Sequence, residues 1–480
     1  MRDESFFFVR VGELCRKPVI TCPPGEDLTA VADVMRRRNI SCVVVAEEDR
    51  PLGMITDRDF RNRIASTGGD LKGCVAGDVM TSPVVTIAPQ DCVFEAIYKM
   101  AKHNIHRLVV VNEAGGLAGI LTDTDLIALQ ITTPLYLGNE IRSASSLRDL
   151  KQVNRRLLDT VKLGIRSGAS PRDLVRLITH FNDAVTHRVI ELIREEEGIE
   201  LPPRSAYLAL GSEGRKEQTL RTDQDSAAVH ADDLSAPELS ALERFCVRLV
   251  EALHGIGVPL CPANNMASNP AWRKSLSEWS NLVGRWIAVP LPEHMLNFGM
   301  FQDLRTIHGD PELERALKGR IREAVRQNAL FLPRVAQNIL RYPPPLGLFG
   351  RLRVEKTGEH KGSIDLKKAG IFAITEGVSL LALEAGILDG GTWEKIEALR
   401  AKKLVAEDLL AEMDESFTFL VRLRLESQIR ELVAERKPSN HLDPLHLPPW
   451  ERKKLRNALR SVRSFLGALR ERYRLDLISS

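Results

Sequence analysis

The first 131 residues repeat one order of hydrophobic and polar positions twice. In each copy, apolar residues at helical spacing precede two short apolar runs that are separated by a turn. The helical positions are Val31, Val34 and Met35 in the first copy, and Ala96, Ile97 and Met100 in the second. This pattern predicts a helix–strand–strand unit that is used twice.

The repeat is also visible in the residues themselves. The sequence Pro-Val-Ile-Thr at residues 18–21 matches Pro-Val-Val-Thr at residues 83–86. Each copy then ends in Gly-x-x-Thr-x-x-Asp, at residues 53–59 and 119–125. These residues resemble a tandem pair of CBS domains.

The resemblance spans residues 7–132, with copies at about 8–65 and 73–131. It implies clefts that bind an adenosine nucleotide, because a hydroxyl suits phosphate and a carboxylate accepts hydrogen bonds from ribose. By this resemblance, the ligand-binding residues of the two clefts are Thr56, Asp59, Thr122 and Asp125. It also implies a homodimer formed through the pair. The alternative is that one or both clefts are empty and that the pair is only a dimerisation scaffold.

Residues 139–197 are charged, with apolar residues at helical spacing. Ser170 and Pro171 provide a cap and a first-turn proline for one helix. The apolar run at Ile190 predicts a further short element that ends before Gly198. We expect these helices to transmit geometry between the flanking domains.

A glycine-rich turn follows the connector. Residues 206–210 read as a short buried strand that runs into Gly-Ser-Glu-Gly-Arg at residues 211–215. Gly211 and Gly214 allow close backbone approach, and Ser212 offers a hydroxyl and an amide. A strand, a glycine turn and a helix start together predict a phosphate-binding loop.

Two aspartates stand at the start of the next predicted strand. Asp223 and Asp225 are two residues apart, so on a strand their side chains point the same way. Mg²⁺ takes oxygen ligands from one or two carboxylates and from substrate phosphates. The pair therefore predicts a site for one or two Mg²⁺ ions beside a nucleoside triphosphate.

The combined motif is Gly-Ser-x-Gly-Arg-x-Glu followed by Thr-Asp-x-Asp. It resembles the PII-protein uridylyltransferase branch of the polymerase-β-like superfamily. It is also similar to a bacterial family of signal-transduction nucleotidyltransferases, in which CBS domains precede such a core. By this resemblance, Asp223 and Asp225 bind metal, and the nucleotide and its phosphates are bound by Gly211, Ser212, Gly214, Arg215, Glu217 and Gln218.

The resemblance implies transfer of a nucleoside monophosphate from an NTP to a protein or a small molecule. It also implies regulation by adenosine nucleotide at the CBS pair. The alternative is a catalytically inactive protein that senses nucleotide or acts as a signalling scaffold.

A third carboxylate is expected in this superfamily, and Asp303 is the candidate. It stands in an acidic-x-Arg segment with Arg305, similar to one in the uridylyltransferases. Asp303 would bind the metal or support it. An ion pair with Arg305, or a helix cap, is the alternative.

From residue 312 to 480 the apolar positions recur at helical spacing, which predicts an all-α domain. The region resembles the substrate-binding domain that follows the transferase core in the same family. Its polar residues near Gly370 would face the triphosphate or the acceptor, or, as we favour, solvent on a helix surface. They are Lys361, Asp365, Lys367 and Lys368.

Together these segments predict an α+β multidomain protein: a tandem CBS (Bateman) module, a helical connector with a polymerase-β-like core at residues 139–311, and the helical domain. The core itself spans about residues 199–311.

The composition of the chain limits which kinds of partner are expected. The chain has 480 residues, 44% hydrophobic and 27% charged, with a net charge of +3, so nucleic acid is not expected. No stretch reaches about 20 apolar residues, so a membrane is not expected either. The seven cysteines form no Cys-x-x-Cys pair, which indicates reduced thiols and a cytoplasmic protein.

Overall fold

The computed structural model describes residues 8–15, 18–67, 73–127, 134–166, 168–220, 223–347 and 350–477. The chain divides into two compact units. The first unit is Met1–Glu140 with Arg166–Ala169, and the second is Ile141–Ile165 with Ser170–Ser480.

The first unit contains two three-stranded sheets of the same topology. Their strands are β1 (Thr21–Cys22), β2 (Cys42–Glu47) and β3 (Arg50–Thr56), then β4 (Thr86–Ile87), β5 (Arg107–Val111) and β6 (Leu117–Thr122). The helices are α1 (Val11–Leu14), α2 (Leu28–Arg38), α3 (Asp57–Thr67), α4 (Ala76–Val79), α5 (Val93–His103) and α6 (Asp123–Ile127). In each sheet the middle strand pairs parallel to the first strand and antiparallel to the third.

The predicted helix–strand–strand unit is confirmed in both copies. The sequence pattern missed the short strands β1 and β4, because two residues are too few to show a period. Asn39 and Asn104 end the two equivalent helices in the left-handed conformation, with φ of 50° and 52°. Asparagine tolerates this conformation better than most residues, which explains why it occurs in both copies.

The connector consists of three helices, α7 (Pro134–Ser143), α8 (Leu147–Arg166) and α9 (Pro171–Glu197). The Ser170 hydroxyl accepts from the Asp173 amide, so the predicted cap is confirmed. The prediction of a separate short element at Ile190 is wrong, because α9 continues through this residue to Glu197. Its buried face runs the whole length of the helix, and this packing keeps it continuous.

A four-stranded sheet of order β10-β7-β8-β9 organises the second unit. Its strands are β7 (Ser205–Ala209), β8 (Ser226–His230), β9 (Arg273–Ser275) and β10 (Arg305–Gly309). The helices here are α10 (Gly211–Gly214), α11 (Ala236–Gly255), α12 (Leu276–Ala288), α13 (Pro292–Phe301) and α14 (Pro311–Gln327). Every residue of β7 and β8 is buried, because both faces of the sheet are covered.

The C-terminal region is helical, as expected. Its helices are α15 (Phe331–Ile339), α16 (Phe372–Glu384), α17 (Thr392–Lys402), α18 (Glu407–Val433) and α19 (Pro449–Arg472), and a π-helical turn precedes α16 at Lys367–Ile371. A short antiparallel pair, β11 (Ile364–Asp365) with β12 (His441–Leu442), was not expected. This region and the sheet lie in one compact unit, so residue 311 is not a boundary between compact units.

Candidate active site

Asp223 and Asp225 lie immediately before β8, at the edge of the glycine-rich turn. The Asp225 carbonyl accepts from the Leu210 amide at 2.9 Å, which ties the aspartates to the end of β7. One ligand atom from each of Asp223, Asp225 and Cys261 lies within 4.8 Å of the other two. The predicted convergence of the two carboxylates is therefore present.

The charge at this point suits a divalent cation. Burial, and then the charge of Asp223, raises the pKa of the Asp225 carboxyl to about 6. Two carboxylates this close repel one another, and a cation between them removes that repulsion. The donor set therefore fits Mg²⁺.

Cys261 is a neighbour that the sequence did not reveal, because it is distant from Asp223 and Asp225 along the chain. Burial raises the pKa of its thiol to about 11, so the thiol stays protonated at neutral pH and hydrogen-bonds Asp225. Mg²⁺ prefers oxygen ligands to sulfur. Cys261 thus hydrogen-bonds Asp225 and is a poorer ligand for Mg²⁺ than the two carboxylates.

The glycine turn begins with a single helical turn, α10. Gly211 has φ of +52°, and a Cβ there would lie 3.5 Å from Asp225 Oδ2. The backbone amides of Gly211 and Ser212 have no acceptor among the described residues. These two N–H groups and the Ser212 hydroxyl are therefore available to an anion beside the aspartates.

Gly214 is required for a different reason from the one expected. A Cβ at Gly214 would lie 1.9 Å from the carbonyl oxygen of Asp303. The close approach at this position is therefore to the chain's own backbone, next to β10, and not to a phosphate.

Asp303, the candidate third metal ligand, belongs to a buried network of charged side chains. The Asp303 carboxylate is completely buried, and it accepts from Lys395 Nζ at 2.6 Å and from Arg215 Nη1 at 2.5 Å. Asp303 is not part of the cluster that Asp223 and Asp225 form with Cys261, so the structure does not support it as a direct metal ligand. The prediction that it supports the metal site stays a prediction. Both oxygens of Asp303 already bind cations. Although burial alone would raise the pKa of Asp303, Lys395 and Arg215 hold it below its usual value.

An ion pair between Asp303 and Arg305 was one alternative for Asp303, and the structure does not contain it among the described residues. The Arg305 guanidinium forms two hydrogen bonds to the carboxylate of Asp183, at 2.9 and 3.0 Å. This bidentate pair fastens the connector helix α9 to β10.

The remaining predicted loop residues hold the loop in place. Arg215 Nε donates to Glu217 at 2.9 Å, and Glu217 also accepts from the amide and hydroxyl of Thr392. Gln218 accepts from Asn182 at 2.7 Å. Arg215 is thus neutralised by carboxylates, while Glu217 and Gln218 orient the loop. Thr222, part of the motif, lies outside the described residues.

Two other cations lie near the aspartates. Lys367 interacts electrostatically with Asp223 and Asp225, and Arg424 interacts with Asp223. The Lys367 side chain is open to solvent and makes no ion pair with the described residues. Arg424 is buried, and its Nε donates to Asn440 at 2.8 Å.

Both cations have lowered pKa values. Desolvation by the surrounding protein, and then the charge of Arg424, lowers the pKa of Lys367. Burial lowers the pKa of Arg424 to about 10. Lys361, Lys367 and Lys368 are all exposed, as expected for a solvated helix surface. Lys367 nevertheless lies close enough to Asp223 and Asp225 to interact with both. Nothing in the local sequence singled out Arg424, because it approaches the site only through the packing of α18.

The first unit contains a separate cleft. A cavity of about 510 Å³ lies between the two copies, lined by Thr56, Asp59, Thr81 and His106 among others. The Thr56 amide and hydroxyl donate to Asp59 Oδ2 at 2.8 and 2.7 Å. The other oxygen of Asp59 accepts from Thr81 at 3.4 Å.

Thr122 and Asp125 make the same contacts in the second copy. The Thr122 amide and hydroxyl donate to Asp125 Oδ2 at 2.9 and 2.6 Å. In both copies the threonine precedes a helix and the aspartate lies in its first turn. Each Thr-x-x-Asp therefore also caps a helix, a structural role that sequence reasoning did not consider.

Residues 11–66 and 76–131 each match the family model described as "CBS domain". A CBS domain-containing protein of Bacillus subtilis is 32% identical over 114 residues, which cover 24% of this chain and 80% of that protein. The chain belongs to the CBS-domain family. Further along this CBS-domain protein, residues 155–293 match the model described as "Putative nucleotidyltransferase DUF294". Residues 329–473 match "Putative nucleotidyltransferase substrate binding domain".

The CBS-domain relatives share only part of the chain. An uncharacterized protein of Methanopyrus kandleri is 38% identical over 123 residues, which are 25% of this chain and 63% of that protein, less than two thirds. A solved CBS domain protein from Pyrobaculum aerophilum, complexed with AMP, is 30% identical. The match covers 27% of this chain and 96% of that chain, with a TM-score of 0.24. None of the described helices of this CBS-domain protein is long and apolar enough to cross a membrane.

Proposed function

We propose that the second unit is a Mg²⁺-dependent nucleotidyltransferase that moves a nucleoside monophosphate from an NTP to a hydroxyl. The observation that carries the proposal is the convergence of Asp223 and Asp225 close to two cations, Lys367 and Arg424. The carboxylates suit a divalent cation, and the cations suit a triphosphate. The nucleotidyltransferase family match over residues 155–293 supports the same conclusion.

In this proposal the triphosphate is bound from two sides. The amides of Gly211 and Ser212 and the Ser212 hydroxyl donate to phosphate oxygens from the turn. Lys367 and Arg424 neutralise phosphate charge from the C-terminal region, which matches a substrate-binding domain model. Arg215, bound to Asp303 and Glu217, holds the turn rigid between them.

The reaction is an in-line displacement at the α-phosphorus. The acceptor oxygen bonds to phosphorus, the bond to the bridging oxygen of the β-phosphate breaks and pyrophosphate leaves, while the proton of the acceptor hydroxyl passes to water. Held by Asp223 and Asp225, Mg²⁺ would stabilise the charge that develops on the phosphates. The turn and the two cations position the triphosphate so that the leaving group lies opposite the acceptor.

The acceptor is a protein, as in PII uridylyltransferases, or a small molecule. The protein acts as a signal-transduction enzyme that assembles as a homodimer through its CBS pair.

Substitution of Lys367 tests the triphosphate site directly. We expect Lys367→Gln to weaken ATP binding about 10- to 100-fold, the range for losing one charged hydrogen bond, while AMP binding changes little. Isothermal titration with Mg²⁺ measures both nucleotides, on a chain that also carries Asp59→Ala and Asp125→Ala to suppress binding at the CBS pair.

Lys368→Gln is the matched control, because Lys368 is the next residue and its side chain is 75% exposed. We expect this variant to bind ATP normally. Equal losses in the two variants, or no loss in Lys367→Gln, would contradict the assignment.

We also propose that the CBS pair binds an adenosine nucleotide and regulates the transferase. The specific observation is the cleft beside Thr56 and Asp59. Its walls offer hydroxyl groups, two carboxylates and two arginines, which match ribose and phosphate.

Asp59 provides the test of the regulatory site. We expect Asp59→Asn to weaken AMP binding to the full chain about 10-fold, because a ribose hydroxyl loses a charged acceptor. Asp33→Asn is the control, since Asp33 is an acidic residue of α2 outside this cleft. Asp59 also caps α3, so circular dichroism should verify that the fold is retained. Unchanged AMP affinity in a folded Asp59→Asn protein would refute the site.

A further inference from the structure

A cavity of about 260 Å³ lies behind the turn that carries the two aspartates. Its walls come from the connector helices α8 and α9, from β7, from residues 218–220, 224 and 256–259, and from α18. Most of the lining is apolar, including Leu157, Ile178 and Phe181. The space belongs entirely to the second unit.

Gln224 connects this cavity to the metal site. It stands between Asp223 and Asp225, so in extended backbone its side chain points away from theirs, and it lines the cavity. Its Nε2 donates to the carbonyls of Val250 and Val258 at 3.2 and 3.3 Å. The opposite atom, Oε1, is buried and has no hydrogen-bond partner among the described residues.

Thr219 presents a second unpartnered group. Its side chain is 1% exposed and lines the cavity, and its hydroxyl oxygen likewise has no partner in the described part of the chain. Burying such groups unpaired costs free energy, and native proteins rarely leave them so. Gln224 Oε1 can only accept a hydrogen bond, whereas the Thr219 hydroxyl can accept or donate one, so the cavity suits a ligand with a hydrogen-bond donor.

The lining also restricts the charge and size of that ligand. Burial, and then the charge of Asp183, raises the pKa of Glu213 to about 8, so this wall residue is mostly uncharged at neutral pH. A charged ligand would lose hydration without finding a counter-ion in the interior, since Lys151 on the lining is itself exposed. An engineered cavity of about 150 Å³ holds benzene, so this one accommodates a two-ring molecule.

We propose that this cavity is a regulatory site for a compact, uncharged molecule with an N–H donor, and that its occupancy moves Asp223 and Asp225 through Gln224. The binding step stands on the cavity alone, whereas the regulatory step rests on the proposed transferase function.

The structure contains a direct mechanical route for this coupling. The Gln224 amide donates to the Pro259 carbonyl at 2.9 Å, so the aspartate segment is held against the cavity wall at residues 256–259. A donor that binds Gln224 Oε1 would pull on the residue between the two metal ligands. Asn182 on α9, bound to Gln218, brings the connector helix to the same space.

Indole is a suitable probe, because it is uncharged, has two rings and carries one N–H donor. Benzofuran has nearly the same shape without the donor. We expect indole to raise the melting temperature of the full chain and benzofuran to raise it less. Thr219→Val should weaken indole binding about 2- to 10-fold without lowering the melting temperature, because the lost hydroxyl has no partner.

Thr179→Val is the matched control. The Thr179 hydroxyl donates to the Val175 carbonyl at 2.9 Å and does not line the cavity. We expect this variant to bind indole normally and to be less stable. If indole does not bind up to its solubility limit, or if Thr219→Val is destabilised as much as Thr179→Val, the cavity holds only water and the proposal is overturned.

The regulatory step has its own measurement. Mn²⁺ binding, followed by electron paramagnetic resonance, should change at least about twofold when indole is present. If indole binds but Mn²⁺ affinity does not change, the regulatory claim is overturned. If Mn²⁺ fails to bind at all, the proposed transferase function fails while indole binding still decides the cavity.

Discussion

Replacing Asp223 and Asp225 together by asparagine should abolish Mg²⁺-dependent NTP binding while the fold remains intact. Asparagine keeps the shape of aspartate but removes both negative charges that converge at this point. Residues that merely orient metal ligands are worth about 10- to 100-fold in metal affinity, so removing both carboxylates should cost at least about 100-fold. Isothermal titration with ATP and UTP, with and without Mg²⁺, measures the effect.

The pH dependence follows from the same carboxylates. The pKa of Asp225 is raised to about 6, so this group takes up a proton as the pH falls through that value. We expect Mg²⁺-dependent NTP binding to be strong at pH 8 and to weaken below about pH 6.

If Mg²⁺-dependent NTP binding survives the double substitution of Asp223 and Asp225 unchanged, the metal site is contradicted.

Lys395→Ala should destabilise the second unit by about 3 to 5 kcal/mol. Lys395 is 2% exposed and pairs with Asp303, whose carboxylate is completely buried. Its removal leaves Asp303 and Glu217 sharing the single cation Arg215, so one buried negative charge is not neutralised. Because the pKa of Asp303 is lowered in the folded state, its stabilisation is present at neutral pH and is lost only in acid. Urea unfolding, followed by tryptophan fluorescence, measures the change.

All five tryptophans belong to the second unit, so the fluorescence signal reports on it alone. Lys368→Ala is the control, since an exposed lysine should change stability by no more than about 0.5 kcal/mol. The double variant Asp303→Asn with Lys395→Met should recover part of the loss, because no unpaired charge remains. A loss below about 1 kcal/mol in Lys395→Ala would contradict the importance of the network.

The features that sequence predicted well are those encoded by neighbouring residues. The repeat in the first unit is visible because each copy needs the same helix ends and strand positions, down to Asn39 and Asn104. The convergence of Asp223 and Asp225 follows from the period of two in extended backbone. The cap at Ser170 is equally local.

What sequence could not provide depends on distant residues that pack together. Asp303, Arg215 and Lys395 form one network although they are far apart in the chain, and no local pattern indicates that Lys395 is buried. Arg424 and Cys261 reach the site only through tertiary packing. Asp303 was placed at the metal because its segment resembles one in the uridylyltransferases, and nothing in that segment shows that Arg215 and Lys395 bind it.

The same packing explains why the transferase core and the C-terminal helical region, which the sequence predicts as separate domains, form one compact unit. The turn at residues 211–217 is held by Asp303 from the sheet and by Thr392 and Lys395 from the helical region. The cations proposed for the triphosphate, Lys367 and Arg424, also come from the helical region. A nucleotide bound at the aspartates would therefore bridge both parts of the unit.

The central claim is that this protein transfers a nucleoside monophosphate and does not merely bind nucleotide. The most direct measurement incubates the full chain with each α-labelled NTP and Mg²⁺ in a cell lysate, then identifies labelled products by mass spectrometry and measures pyrophosphate. We expect one acceptor to gain a nucleotide with matching pyrophosphate release, and no product with the Asp223→Asn, Asp225→Asn protein. Mg²⁺-dependent NTP binding without any labelled acceptor or pyrophosphate would contradict the account and identify a non-catalytic nucleotide sensor.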